Sequence, residues 1–218
     1  MNRIGIDEAG RGPVIGPLIV AGASLEPDVA ARMKAAGVKD SKLLSIRRIY
    51  QLEKIIVENS SGYKTEKIEP ESIDTRYKDG TNLNLMELDK MIEIANFLVG
   101  DTVIIDSPSA NTKKIKAFLE KKIPGKDLIV ENYADRNYVE VSAASILAKA
   151  LREREVASIK KELEYDFGSG YPSDPRTIRF LSIIKANGLI HDKKYKKYIR
   201  STWATLKNID DKKLQDFF

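Results

Sequence analysis

The sequence predicts an α/β protein: a mixed five-stranded sheet flanked by helices, with a small C-terminal helical subdomain. Three observations predict it. Short apolar, β-branched runs alternate with segments whose apolar residues recur at helical spacing. The first two strand candidates are separated only by a Gly/Pro-rich turn, so the sheet opens with an antiparallel hairpin. At Gly168-Ser169-Gly170-Tyr171-Pro172 the alternation stops and a basic, helical stretch follows. Residues 1–170 are therefore read as the main domain and 171–218 as the subdomain.

Taken in order, Arg3–Asp7 and Ile15–Ala23 form the hairpin. Pro27–Ala36 reads as a short helix ended by Gly37. Ser45 can cap a helix over Ile46–Glu58, with Ile46, Ile49, Leu52, Ile55 and Ile56 on one face. Gly62–Ile68 is a third strand. Asn82 can cap a second helix whose buried face is Leu85, Leu88, Met91, Ile92, Ala95 and Leu98. Thr102–Ile105 makes a short apolar strand ending in Asp106, and Ser109 and Asn111 open a helix to about Lys122. Leu128–Glu131 is the fifth strand. After Asp135 comes the longest helical run, Val141 to about Glu164, with alanines for close packing.

Composition narrows the chemistry. The 218 residues include no cysteine and a single histidine, His191, which excludes disulfides, thiolate metal sites, a cysteine nucleophile and a multi-histidine zinc site. Any metal ligands must be mostly carboxylates, which favours Mg²⁺ or Mn²⁺. Lysine and arginine number 37 against 32 aspartates and glutamates, and the isoelectric point is about 9.1, a mild excess that fits a nucleic-acid partner without requiring one. No apolar run reaches roughly 18 residues and no signal peptide opens the chain, so it reads as soluble and cytoplasmic, with no membrane partner.

The most informative stretch is Gly5-Ile6-Asp7-Glu8-Ala9-Gly10-Arg11-Gly12. A strand end delivers two adjacent acids, which repel unless a cation or proton lies between them, and glycines follow that let backbone approach a ligand. Asp106 ends a buried-type strand, and Asp135 directly precedes the long helix. Asp7 and Asp106 meet if their strands are neighbours. Four carboxylates around one spot would hold two divalent ions about 3.5–4 Å apart, an arrangement suited to phosphodiester hydrolysis. Each acid also has a plainer reading: a solvated turn for Asp7 and Glu8, a cap for Asp106, and a favourable helix-dipole contact for Asp135.

Six motifs in order resemble ribonuclease HII of the archaeal branch. They are the segment 5–12, Asp40-Ser41-Lys42 with Leu44, Ile105-Asp106-Ser107-Pro108, Ala134-Asp135, Val141-Ser142-Ala143-Ala144-Ser145-Ile146-Leu147-Ala148-Lys149, and Gly168-Ser169-Gly170-Tyr171-Pro172-Ser173-Asp174-Pro175. The resemblance implies a ribonuclease H-like fold. It implies hydrolysis of RNA in RNA/DNA hybrids and nicking 5′ of ribonucleotides embedded in duplex DNA, leaving 3′-hydroxyl and 5′-phosphate ends, in ribonucleotide and RNA-primer removal. Carried over, Asp7, Glu8, Asp106 and Asp135 are the catalytic acids and ligands of two Mg²⁺ or Mn²⁺ ions. Gly10, Arg11, Gly12 and Tyr171 read the 2′-hydroxyl that separates ribose from deoxyribose. Lys42 lies near the scissile phosphate, and Lys149 and Arg152 are expected as backbone-phosphate contacts, with solvated helix-face charges the plainer reading of the last two. The run Lys193-Lys194-Tyr195-Lys196-Lys197-Tyr198 could track a phosphate backbone, and Thr202 stands where the family usually has Ser before Trp203. His191 is given no catalytic role.

At the C-terminus Leu214, Phe217 and Phe218 stand at i, i+3 and i+4, one face of a helical turn able to plug a hydrophobic pocket. They resemble the motif by which DNA enzymes dock on the sliding clamp (PCNA), although Asp211 occupies the usual place of Gln. A monomer is expected. The motifs begin at residue 4, which leaves no room for the extra N-terminal domain of the related type HIII enzymes. The rivals are another nuclease on the same fold, which would cut all-DNA duplexes, and a silent nucleic-acid or clamp-binding module, which would not need four intact acids.

Overall fold

The structure is a computed structural model that describes residues 1–38, 44–76, 78 and 80–209. Its sheet has the order β3-β2-β1-β4-β5, formed by β1 (Arg3–Ala9), β2 (Leu18–Leu25), β3 (Gly62–Ile68), β4 (Thr102–Asp106) and β5 (Asp127–Glu131). β1 runs antiparallel to β2, with Asp7 opposite Ala21, and parallel to β4, with Ile6 opposite Ile105. β4 in turn runs parallel to β5. The sheet is mixed, as expected, and β1 lies at its centre.

The helices follow local signals. α1 (Pro27–Ala35) starts with proline in its first turn, and α2 (Ile46–Asn59) is capped by Ser45, whose side chain accepts from the Arg48 amide. α4 (Leu83–Phe97) and α5 (Thr112–Glu120) are capped in the same way by Asn82 and Asn111. In α4, Leu85 is 36% exposed rather than buried, and Ile94 takes the inward position. The short α3 (Pro70–Thr75) was not expected. Asp135 also differs from expectation: it lies inside its own short helix, α6 (Ala134–Asn137), ahead of the long α7 (Val139–Leu163). Tyr133, at the left-handed dihedrals φ 61° and ψ 34°, makes the break before α6.

The chain forms two compact units with interleaved segments. The first takes residues 1–9, 19–67 and 82–151 as far as they are described. In its main core Ile19, Ala21, Ala23 and Leu25 of β2 meet Ile49, Leu52 and Ile56 of α2 and Ala143, Ile146, Leu147 and Ala150 of α7. Gly5 is essential to that packing: a Cβ there would lie 2.0 Å from the backbone carbon of Glu140 and 2.3 Å from the amide nitrogen of Val141. Its absence lets α7 rest directly on the backbone of β1.

The second unit takes residues 10–18, 68–81 and 152–209 as far as they are described. Val14 and Ile15 pack with Val156 and Ile159 of α7, with Phe167, with Phe180, Leu181 and Ile184 of α8 (Pro175–Ala186), and with Ile199. Ile15 and Ile199 form an antiparallel bridge. A 3-10 turn at Leu189–His191, α9 (Lys193–Lys196) and α10 (Ala204–Asn208) complete it. The division differs from the contiguous 1–170 and 171–218 expected, because residues 10–18 and the described residues of 68–81 group with the C-terminal stretch, which itself begins at Arg152. No helix among the described residues is long and apolar enough to cross a membrane.

Candidate active site

The first unit carries a pocket of about 300 Å³ lined by Asp7, Glu8, Asp106, Ser107, Asn132, Tyr133, Asp135, Ser145 and Lys149. The four sequence-predicted acids thus come together from three separate segments of chain. β1 and β4 are neighbours, so Asp7 and Asp106 leave the sheet side by side at the carboxyl ends of parallel strands. α6 brings Asp135 to the same place.

Each acid is held differently. Asp7 is 5% exposed and accepts a 2.7 Å hydrogen bond from the Glu8 amide. Burial, and then the charges of Glu8 and Asp106, push its carboxyl well above the usual carboxylate range, while a hydrogen bond with the Ser145 side chain opposes the rise. Asp106 Oδ1 accepts from the amides of Tyr133 (2.8 Å) and Ala134 (3.4 Å), so Asp106 also fixes the turn into α6. Asp135 is 2% exposed, and the Ser142 hydroxyl donates to its backbone carbonyl at 2.5 Å. Ser145 and Lys149 stand one helical turn apart on the face of α7 that Gly5 admits to β1.

Among the described residues, no three histidine or acid side chains are already drawn close enough to hold a metal ion. The donor set nevertheless fits one. It is all carboxylate oxygen, which suits a hard divalent cation. The raised affinity of Asp7 for a proton comes from its burial and then from the neighbouring charges of Glu8 and Asp106, and a bound cation would offset both.

The second unit carries the Gly10-Arg11-Gly12 loop. Gly10 has φ +89°, and a Cβ there would lie 2.8 Å from the Pro17 carbonyl oxygen and 3.0 Å from Cδ of Arg152. The Tyr171 ring stands beside Gly12: a Cβ on Gly12 would be 3.5 Å from Tyr171 Cε1. Tyr171 is half-buried. Gly170 O accepts from the Val14 amide at 2.8 Å, which ties the Tyr171 segment to the chain leaving the loop.

The comparisons with known proteins agree with this architecture. The ribonuclease HII family model matches residues 4–206, nearly the whole chain. The chain belongs to the ribonuclease HII family. Ribonuclease HII of Thermococcus sibiricus is 38% identical over 216 residues, covering 97% of this chain and 92% of that protein. Among solved structures, the PCNA:RNase HII complex from Archaeoglobus fulgidus matches with a TM-score of 0.87 at 38% identity, covering 99% of this chain and 100% of the other. Ribonuclease H2 from Pyrococcus horikoshii matches with a TM-score of 0.86 at 33% identity, covering 99% of both chains. The ribonuclease HII family is divalent-metal dependent, and this chain is a ribonuclease H enzyme, an endoribonuclease acting on RNA/DNA hybrids.

Within this ribonuclease HII fold the remaining expected residues separate. Lys149 lines the acidic pocket. Arg152 is 5% exposed instead of facing solvent as a phosphate contact would. Its guanidinium donates to Ser169 O (2.6 Å), pairs with Glu153 (2.7 Å) and lies 4.8 Å from the centre of the Tyr171 ring. Lys42 and the C-terminal Leu214, Phe217 and Phe218 lie outside the described residues. Sequence reasoning assigned no role to Ser145, Asn132 or Ser107, all of which line the pocket. It also gave none to Arg200, a fully buried arginine bonded to the Gly10–Gly16 segment. Ser145 carried a signal, four residues before Lys149 on one helix face; Arg200 carried none.

Proposed function

We propose that this chain nicks duplex DNA on the 5′ side of an embedded ribonucleotide, besides cutting RNA/DNA hybrids. The products are a 3′-hydroxyl and a 5′-phosphate, and the role is removal of ribonucleotides and RNA primers. The observation that carries the reading is the convergence of Asp7, Glu8, Asp106 and Asp135 on one pocket. In it these four residues hold two divalent ions, Mg²⁺ or Mn²⁺, which when bound supply an activated water and charge stabilisation for the leaving oxygen.

The chain's own residues have separate tasks. Ser145 and the Glu8 amide orient the Asp7 carboxylate, and the Tyr133 amide orients Asp106. Lys149, on the pocket wall, offers a positive charge to a phosphate. Gly10, Arg11 and Gly12 present backbone to the ribose, and Tyr171 presents a hydroxyl and a ring edge beside them. Arg152 backs the Tyr171 ring. Lys42 is assigned to the scissile phosphate on the resemblance alone.

The test is cleavage of a DNA duplex containing one ribonucleotide, beside the all-DNA duplex, with Mg²⁺ or Mn²⁺. Cutting confined to the first, with a 3′-hydroxyl at the nick, is expected. Equal cutting of both duplexes, or of neither, would overturn the reading. The enzyme works as a cytoplasmic monomer and docks on a sliding clamp through Leu214, Phe217 and Phe218. What supports the docking is that spacing and the similar protein from Archaeoglobus fulgidus described as a complex with PCNA. Unchanged clamp affinity in calorimetry after deletion of Phe217 and Phe218 would rule it out.

A further inference from the structure

The three carbonyls of Gly10, Arg11 and Gly12 all point into one short segment, Arg200–Trp203. Arg200 is fully buried, and its guanidinium serves three carbonyls at once. Nη2 donates to Gly10 O at 2.7 Å and Gly16 O at 2.9 Å, Nη1 to Arg11 O at 2.9 Å, and Nε to Gly16 O at 3.1 Å. Trp203 Nε1 donates to Gly12 O at 3.3 Å.

This segment is itself fixed from two directions. The Arg200 amide donates to Val14 O (2.9 Å) and the Gly16 amide to Tyr198 O (2.8 Å), the ladder around the Ile15–Ile199 bridge. Asp74 of α3 accepts from the amides of Ser201 (2.7 Å) and Thr202 (3.0 Å) and from the Thr202 hydroxyl (2.8 Å). The Arg76 and Arg200 guanidinium carbons lie 5.3 and 5.1 Å from the Trp203 ring centre.

The consequence is directional. In a planar trans peptide the N–H points opposite the C=O. Drawing Gly10 O and Arg11 O onto Arg200 therefore turns the Arg11 and Gly12 N–H groups the other way. A cation at one end of a peptide also polarises it, making the N–H at the other end a better donor. Lysine could not reproduce this, because a point-like ammonium does not span three carbonyls as the planar five-donor fork does.

We propose that Arg200, assisted by Trp203, is a positioning residue for ribose selection. It fixes the Arg11 and Gly12 amides as a preset donor pair for the ribose 2′-hydroxyl. The proposal rests on the reading of the Gly10–Gly12 loop as the ribose contact.

The experiment measures affinity for the one-ribonucleotide duplex and the all-DNA duplex without added metal, for wild type, Arg200→Lys and Trp203→Phe. Circular dichroism and thermal melting identify the folded variants. Arg200→Lys should lose about tenfold in preference for the ribonucleotide duplex, a change of about 1.4 kcal/mol, with all-DNA affinity held within about twofold. Trp203→Phe, which keeps a smaller aromatic ring and removes the indole N–H, should lose about two- to threefold. If Arg200→Lys does not fold, Trp203→Phe decides. Unchanged preference in the folded variants, or equal loss for both duplexes, overturns the proposal. Absence of any preference in wild type overturns instead the loop's reading as the ribose contact.

Discussion

Asp7 and Gly10 are close neighbours in the chain, but their polar groups meet opposite surroundings. Burial, and then the charges of Glu8 and Asp106, raise the hold of Asp7 on a proton. The Gly10 carbonyl instead meets a buried guanidinium that also satisfies Arg11 and Gly16. In the acidic pocket the charges of Glu8 and Asp106 bear on a buried Asp7, which a bound cation would relieve. In the loop every carbonyl of Gly-Arg-Gly has a donor before any ligand arrives. Carboxylates that bind an ion gain affinity from burial and from like charge beside them, whereas backbone that reads shape gains fidelity from being over-determined.

The largest expected break in that contrast is Asp7→Asn. If Asp7 holds the metal as proposed, its loss should remove several kcal/mol of charge stabilisation and lower the cleavage rate by about 10³-fold or more. The same change should stabilise the metal-free protein near neutral pH. A carboxyl with a raised folded pKa contributes stability that is complete below its unfolded value of about 3.9 and lost as pH rises through the folded one. Metal-free wild type should therefore gain stability from this group as the pH falls from neutral. Asp7→Asn should flatten that rise in melting curves taken across pH. Asp135→Asn should weaken metal binding less than Asp7→Asn in isothermal titration, because Asp135 comes from a separate helix and does not share the β1–β4 strand ends. Equal losses would end that ranking.

The two regions also differ in how much of them the sequence discloses. The acids stand at strand ends recognisable from runs such as Val103-Ile104-Ile105, and Ser45, Asn82 and Asn111 act as the caps their positions suggest. These are local signals: a cap acts three residues away and an apolar stripe within one helix. Arg200 acts on carbonyls 184 to 190 positions away, and no periodicity or composition rule reaches that far. Asp74 was missed with it, because α3 is a six-residue helix with too few turns to show a stripe. Asp135 was expected beside the long helix, but the left-handed Tyr133 and the extended Tyr138 place it on a helix of its own. Arg152 looked like one charge of a basic helix face, yet the packing of Gly10 and Tyr171 around it buries it.

Gly5→Ala tests whether the acidic pocket depends on the seating of α7. The added methyl would overlap the backbone of Glu140 and Val141, which cannot yield as a flexible side chain would. Overpacking of this kind typically destabilises by about 1–3 kcal/mol. Because Ser145 and Lys149 ride on α7, cleavage should fall further than the folded fraction does. Denaturant unfolding measured beside single-turnover cleavage separates the two effects. Activity that simply tracked the folded fraction would mean the pocket tolerates the shift of the helix.

Asp174 should give the smallest effect, and it tests the over-determined side. It caps α8 through the Arg176 amide (3.0 Å), accepts from the Ser169 amide (2.8 Å) and pairs with the Arg176 side chain (3.2 Å). Arg176, then the Ser169 amide, hold its carboxyl well below the usual carboxylate range. The sign is the reverse of that at Asp7: the contribution is present above the unfolded pKa of about 3.9 and is lost as pH falls through the folded value. Asp174→Ala should destabilise by about 0.5–2 kcal/mol in urea, the usual range for a lost cap. Asp174→Asn retains a capping oxygen but has no charge to titrate, so it should be milder and should remove this group's share of the acid sensitivity. Acidification thus favours folding at the crowded carboxylate and disfavours it at the satisfied one. A pair of variants that shifted acid stability in the same direction would show that the two carboxylates are not held in opposite ways.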